Sequence, residues 1–185
     1  MKFENKHTPE SFAETIETIK LSEYKNLPPD VRKWLQMNED VPNEIWERLS
    51  EYEPGITVKD ALQNIRKAFD KVCQNTKLSK PSSFEESRFT SFEDIVKQNM
   101  RSCGIHTRVY GTTLRKMGVP VRFVDGKRVG DVETTDHAWL DIYSPKSGEW
   151  IECDPGERDF DNSVMNKRER IFHDWDELKA IHQKK

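Results

Sequence analysis

The chain has 185 residues, 30 Lys and Arg against 33 Asp and Glu, and a formal net charge of −3, which argues against a nucleic-acid or anionic-membrane binder, since both need a basic surplus. No apolar run approaches the roughly 18 residues of a membrane span, and the start, Met1-Lys2-Phe3-Glu4, has no apolar leader core. Hydrophobic residues are only 34%, but five Trp, four Tyr and nine Phe supply large buriable surfaces, so a packed core under a charged shell is expected rather than disorder.

The length favours a single domain over 1–185, and residues 1–90 read as a helical layer. Thr8, Pro9 and Glu10 supply an N-cap, a first-turn proline and an early acid for a helix carrying Phe12, Ile16, Ile19 and Leu21. Pro28-Pro29-Asp30 opens a second helix with Val31, Trp34 and Leu35 on one face, and Pro42 a third with Ile45, Trp46 and Leu49. Thr57 and Asp60 have capping-box spacing ahead of the longest helix, whose stripe is Ala61, Leu62, Ile65, Ala68, Phe69 and Val72. Residues 78–90, with Pro81 and four serines, read as a loop, and Ser91 with Asp94 repeats the capping pattern before Ile95 and Val96.

The texture then changes. A helix is expected over 103–117, stopped by Gly118 and Pro120, followed by a short strand over 119–124 and a loop from Gly126 to Asp136. Residues 137–143 and 150–153 predict two strands joined by a hairpin turn at 144–148. Residues 157–185 read as a polar, irregular extension ending in a helix over 174–182 and frayed lysines.

The cysteines, Cys73, Cys103 and Cys153, are odd in number, widely spaced and without a CxxC pair. That excludes a disulfide framework and predicts a reducing, cytoplasmic setting. Cys103 stands at a helix start, where amides and dipole favour a thiolate. His137 begins one strand of the hairpin and Asp154 ends the other. Neighbouring strands lie about 4.8 Å apart, so the carboxylate can reach the imidazole, fix its tautomer and stabilise its charged form.

Four stretches occur in order: Arg101-Ser102-Cys103-Gly104, then Leu114-Arg115 through Gly118-Val119-Pro120-Val121-Arg122, then Asp136-His137-Ala138-Trp139, then Trp150 through Cys153-Asp154-Pro155. Together they resemble the transglutaminase-like superfamily, a branch of papain-like cysteine enzymes, over residues 91–156. The resemblance implies an α+β, papain-like fold: a nucleophile helix packed on a small antiparallel sheet, beneath the N-terminal helical layer. It implies Cys103 as nucleophile, His137 as general base and Asp154 as the orienting acid, with no metal and no cofactor. The wording is especially similar to the core of cytoplasmic peptide:N-glycanases. The sequence departs from that family in lacking its paired CxxC motifs and in carrying His106 where it has an aromatic.

The function expected is hydrolysis of an amide through a Cys103 thioester, on a protein, peptide or glycopeptide. Alternatives are a protein-glutamine transglutaminase or deamidase, a deglycosylating amidase, and, in another class, a peptide-binding module without catalysis. Hydrolysis is expected over transamidation because no flanking β domains and no calcium loop are visible. Ser102 neighbours the nucleophile as a candidate oxyanion donor, His106 lines the site, and Trp139 packs in the core or walls the groove. Arg115 and Arg122 are expected to hold helix and strand together. Cys153 faces away from Asp154 into the core, and Cys73 is structural.

Overall fold

The computed structural model describes residues 15–49, 56–83, 86, 89–129, 134–156, 160 and 166–182. Along them run helices α1 (Pro29–Arg32), α2 (Asn43–Leu49), α3 (Val58–Cys73), α4 (Phe92–Lys97), α5 (Cys103–Lys116) and α6 (Trp175–His182), with strands β1 (Val121–Val129), β2 (Thr134–Tyr143), β3 (Trp150–Cys153) and β4 (Asn166–Phe172). Short 3-10 turns occupy Leu21–Lys25 and Lys33–Leu35. Among the described residues, no helix is long and apolar enough to cross a membrane.

Helix starts follow the local chemistry. Thr57 accepts from the Asp60 amide while the Asp60 carboxylate accepts from the Thr57 amide, a complete capping box. Ser91 and Ser102 cap α4 and α5 in the same way, their hydroxyls accepting amides three residues on. The expected stripe of α3 is buried from Ala61 to Phe69, Val72 is only partly so, and α3 packs on α5. Gly118 ends α5 with φ +88°, the left-handed step that glycine takes most readily.

Four expectations need correction. The Thr8–Glu10 cap and Phe12 lie outside the described residues; Ile16 is in a turn, residue 20 bridges Thr57, and Leu21 opens a 3-10 turn rather than continuing a helix. Glu86 and Phe89, placed in a loop, are helical. The strand expected at 119–124 runs on as β1 through Gly126 to Val129, and β2 starts at Thr134. The extension after Pro155 contains β4, whose charged sequence NKRERIF hides the strand because it lies at the sheet edge, with Phe172 buried and Ile171 38% exposed.

The sheet is antiparallel with order β3-β2-β1-β4. The face of β1 and β2 bearing Phe123 and Leu140 meets α5 at Gly111, where a Cβ would lie 2.3 Å from the Phe123 ring and 2.9 Å from Leu140. Thr107 Oγ1 donates to the Ala138 carbonyl at 3.0 Å, tying α5 to β2 beside His137. Gly126 pairs with His137 and sits where the β1–β4 register shifts. A Cβ there would meet the Lys167 carbonyl at 2.3 Å and the Trp139 ring at 2.9 Å. Backbone cannot yield as a flexible side chain can, so Gly126→Ala is expected to destabilise by about 3 kcal/mol in urea denaturation. A loss under about 0.5 kcal/mol, the range of an indifferent surface change, would contradict this close approach.

Candidate active site

Cys103 is the first residue of α5, set there by the extended Ser102, whose Oγ accepts the Ile105 amide at 3.2 Å. The thiol is partly exposed. His137 is buried on β2, and Asp154 follows β3 directly and is fully buried. The Leu140–Cys153 pairing sets the register of β3 on β2. His137 Nε2 and Asp154 Oδ2 are 2.6 Å apart. His137 also hydrogen-bonds the Cys103 thiol. Because Asp154 takes Nε2, Nδ1 is the ring nitrogen left to face the sulfur. The structure thus brings Cys103, His137 and Asp154 together.

The electrostatics favour an imidazolium. Burial pulls the His137 pKa down, but the hydrogen bonds and charges of Asp154 and Cys103 outweigh it and raise it to about 9. Burial would likewise raise the Asp154 carboxyl, yet its bond and attraction to His137, the Gly156 amide and the Arg128 charge hold it below the usual carboxylate value. The Gly156 amide donates to Oδ1 at 2.9 Å and Arg128 Nη2 donates to Oδ2 at 2.8 Å. Asp154 is therefore a fixed acceptor for three groups.

Nothing along the chain marks Arg128, which falls in the stretch expected to be a polar loop. Its role depends on β1 extending past Gly126, and a basic residue there has no local signature. Ser102 is the helix cap. His106 is one turn along α5 from Cys103 and lies edge-on to Tyr110, ring centroids 6.0 Å apart. Burial, then the charges of Arg101 and Arg66, push its pKa down to about 4, so it is neutral at pH 7. Trp139 is fully buried and stacked behind His137 at 6.0 Å, so it backs the imidazole instead of walling an open groove.

Arg115 does hold helix and strand together: it donates to the carbonyls of Val121, Gln36 and His173 at 2.6–3.1 Å. Arg122 uses rings instead, its guanidinium 3.8 Å from the Trp150 centroid and 5.0 Å from that of Trp34. Cys153 and Cys73 are buried, and burial raises both thiols above their ordinary value. Among the described residues, no group of three His, Cys, Asp or Glu side chains could hold a metal ion.

The family model of the transglutaminase-like superfamily matches residues 51–155, more than half of the chain. A peptide-N(4)-(N-acetyl-beta-glucosaminyl)asparagine amidase of Caenorhabditis briggsae is 30% identical over 86 residues, covering 45% of this chain and 13% of its own length. A candidate cysteine protease of Cytophaga hutchinsonii shares the fold, with a TM-score of 0.51 and 18% identity over 80% of this chain and 49% of its own. The chain thus spans about an eighth and about half of those two proteins.

Proposed function

The chain belongs to the transglutaminase-like superfamily, and on that premise we propose that it is a cysteine hydrolase that cleaves an amide through a thioester on Cys103. The observation that carries this reading is the 2.6 Å His137–Asp154 contact beside the Cys103 thiol. His137 takes the thiol proton, and the Cys103 thiolate attacks the amide carbonyl carbon. The resulting oxyanion meets the Cys103 backbone N–H at the open end of α5, a donor worth about 3 kcal/mol in comparable sites. As the intermediate collapses, the C–N bond breaks and the imidazolium protonates the leaving amine. His137 then accepts a proton from water, hydroxide adds to the thioester carbonyl, and the C–S bond breaks, releasing the carboxylic acid and expelling Cys103 as thiolate beside the imidazolium. Asp154, held by Arg128 and Gly156, keeps the imidazole oriented throughout.

A second reading is favoured by one observation, the 30% identity to the asparagine amidase of Caenorhabditis briggsae. In it the same steps release a glycan-bearing amine from asparagine. The experiment is a screen of peptide, glutamine-amide and N-glycopeptide substrates, with intact-mass detection of an acyl adduct. Turnover is expected in the parent and a loss of at least about 10³-fold in Cys103→Ala. Release of the glycan alone would select the second reading. Binding without turnover, unchanged in Cys103→Ala, would replace both with a peptide-binding module.

A further inference from the structure

His106 stands beside the catalytic group but takes no part in the proposed cleavage. It follows Cys103 by three residues on α5, so the two Cβ atoms are about 5–6 Å apart on one side of the helix. It also borders the segment after Asp154. A Cβ at Gly156 would lie 3.1 Å from Asp154 Oδ1 and 3.8 Å from His106 Nδ1, so the imidazole and the orienting carboxylate flank the same glycine. The ring lines a cavity of about 440 Å³ between α3, α5 and that segment.

The charged groups of this wall are engaged with their neighbours. Arg101 Nη1 is 2.9 Å from Asp70, and its Nε donates to Asn99 Oδ1 at 2.9 Å. Arg66 Nη2 donates to the Pro155 carbonyl at 3.1 Å, and the same guanidinium bonds the Tyr110 hydroxyl. His106 differs. Its ring meets the edge of Tyr110, and among the described residues neither ring nitrogen is hydrogen-bonded. A half-buried imidazole with both nitrogens unused keeps one donor and one acceptor for an incoming group. Burial, then the charges of Arg101 and Arg66, keep it unprotonated at pH 7.

The chemistry of the incoming group follows. A carboxylate would find the guanidiniums already engaged and the imidazole uncharged, and an ammonium would face those guanidiniums. An uncharged amide or hydroxyl meets neither penalty, and the imidazole can donate to it or accept from it by choice of tautomer. We propose that His106 is a specificity-determining residue: it hydrogen-bonds an uncharged polar side chain of the substrate, an amide or a hydroxyl, that enters this cavity while the scissile amide lies over Cys103. That side chain is a second group, separate from the bond that is cleaved. The inference rests on Cys103 being the nucleophile.

The test uses N-iodoacetyl amino-acid amides, which share one reactive carbon and differ in side chain: glutamine, homoserine, glutamate, lysine and norleucine. Their side chains reach far enough from the alkylated sulfur to cover one helical turn, about 5.4 Å. Site-resolved mass spectrometry gives the rate of each at Cys103, divided by that of iodoacetamide on the same variant, so changes in thiol reactivity cancel. In the parent, the glutamine or the homoserine probe is expected to react about three- to tenfold faster than the norleucine probe, the range of one neutral hydrogen bond. The faster of the two assigns the amide or the hydroxyl. His106→Phe keeps a ring edge against Tyr110 without ring nitrogens, and it should bring that probe down to the norleucine rate. His106→Gln keeps a donor and an acceptor, so it should retain a preference, which a packing role alone would not. The parent comparison needs no variant and decides even where a substitution unfolds the chain. A fast Cys103 with no preference over norleucine, or with one that survives His106→Phe, overturns this inference alone. The His137 imidazolium acts on the charged probes in parent and variant alike, so a glutamate or lysine probe that loses most in His106→Phe also overturns it. A Cys103 no faster than glutathione with iodoacetamide defeats the hydrolase reading, and this inference with it.

Discussion

In His137→Ala, alkylation of Cys103 by iodoacetamide at pH 6 is expected to slow about 100-fold relative to the parent. An unassisted thiol, with pKa about 8.5, is well under 1% ionised at that pH, whereas a thiol paired with an imidazolium is largely ionised. The imidazole is buried, tied to Asp154 at 2.6 Å and raised to about 9, so it stays charged beside the sulfur across neutral pH. The parent rate profile should therefore rise well below pH 7, and the variant profile should rise near 8.5. A parent profile centred near 8.5, or one that ignores His137, would remove the ion pair from the mechanism. His137 lies within the β1–β2 ladder opposite Gly126, and Asp154 keeps Arg128 and the Gly156 amide in the variant, so it should remain folded, and a melting curve checks this.

Asp154→Ala is expected to have the larger combined effect. It leaves the buried imidazole of His137 without its carboxylate and takes one ion-pair partner from the part-exposed Arg128, and breaking a buried pair in this way destabilises by about 3–5 kcal/mol. Turnover should fall by about 10²–10⁴-fold, because the imidazole loses its orientation and the support for its positive charge. Asp154→Asn separates the two effects. It preserves an acceptor and the shape of the site, so stability should largely recover while turnover stays low. A fully active Asp154→Asn would show that the carboxylate charge is not used.

The same residues make stability depend on pH, in a direction set by the signs of their shifts. Asp154 is lowered when folded, so its contribution is present above the unfolded value of about 3.9 and is lost as pH falls through its folded pKa. His137 is raised, so its contribution is complete below about 6.5 and is lost as pH rises through about 9. Cys103 works in the opposite sense: a thiol ionised beside the imidazolium below its unfolded value of about 8.5 contributes stability that grows as pH rises, so it offsets the His137 loss in the parent and leaves it visible in Cys103→Ala. Urea midpoints at pH 6 and pH 9.5 should show this fall in Cys103→Ala and much less of it in Cys103→Ala/Asp154→Ala. Equal slopes in the two proteins would mean that the pair does not carry the pH dependence.

Much of the local architecture was readable along the chain. Thr57 and Ser91 announce helix starts through hydroxyls that need only an amide three residues away. The stripe from Ala61 to Phe69 shows which face of α3 is buried, and the turn at 144–148 joins β2 to β3 as its composition suggests. Those signals are short-range, so no knowledge of the rest of the fold is needed to interpret them. The ordered Cys103, His137 and Asp154 blocks were legible for a different reason: each carries a family wording that survives in the sequence.

What only the tertiary structure decided is set by partners far apart in sequence. β4 is an edge strand made of charged residues, and its register comes from β1, not from its own composition. Gly126 reads as a turn residue, yet it lies inside β1 because the Lys167 carbonyl and the Trp139 ring leave no space for a Cβ. Arg128 becomes a partner of Asp154 only once β1 extends beyond Gly126. One cavity joins Arg66 of α3 to Arg101 and Pro155, separated by 35 and 89 residues. Backbone hydrogen bonding and amphipathic periodicity act over a few residues and are written locally; charge, close approach and strand register depend on distances in space, which the order of residues along a chain does not carry.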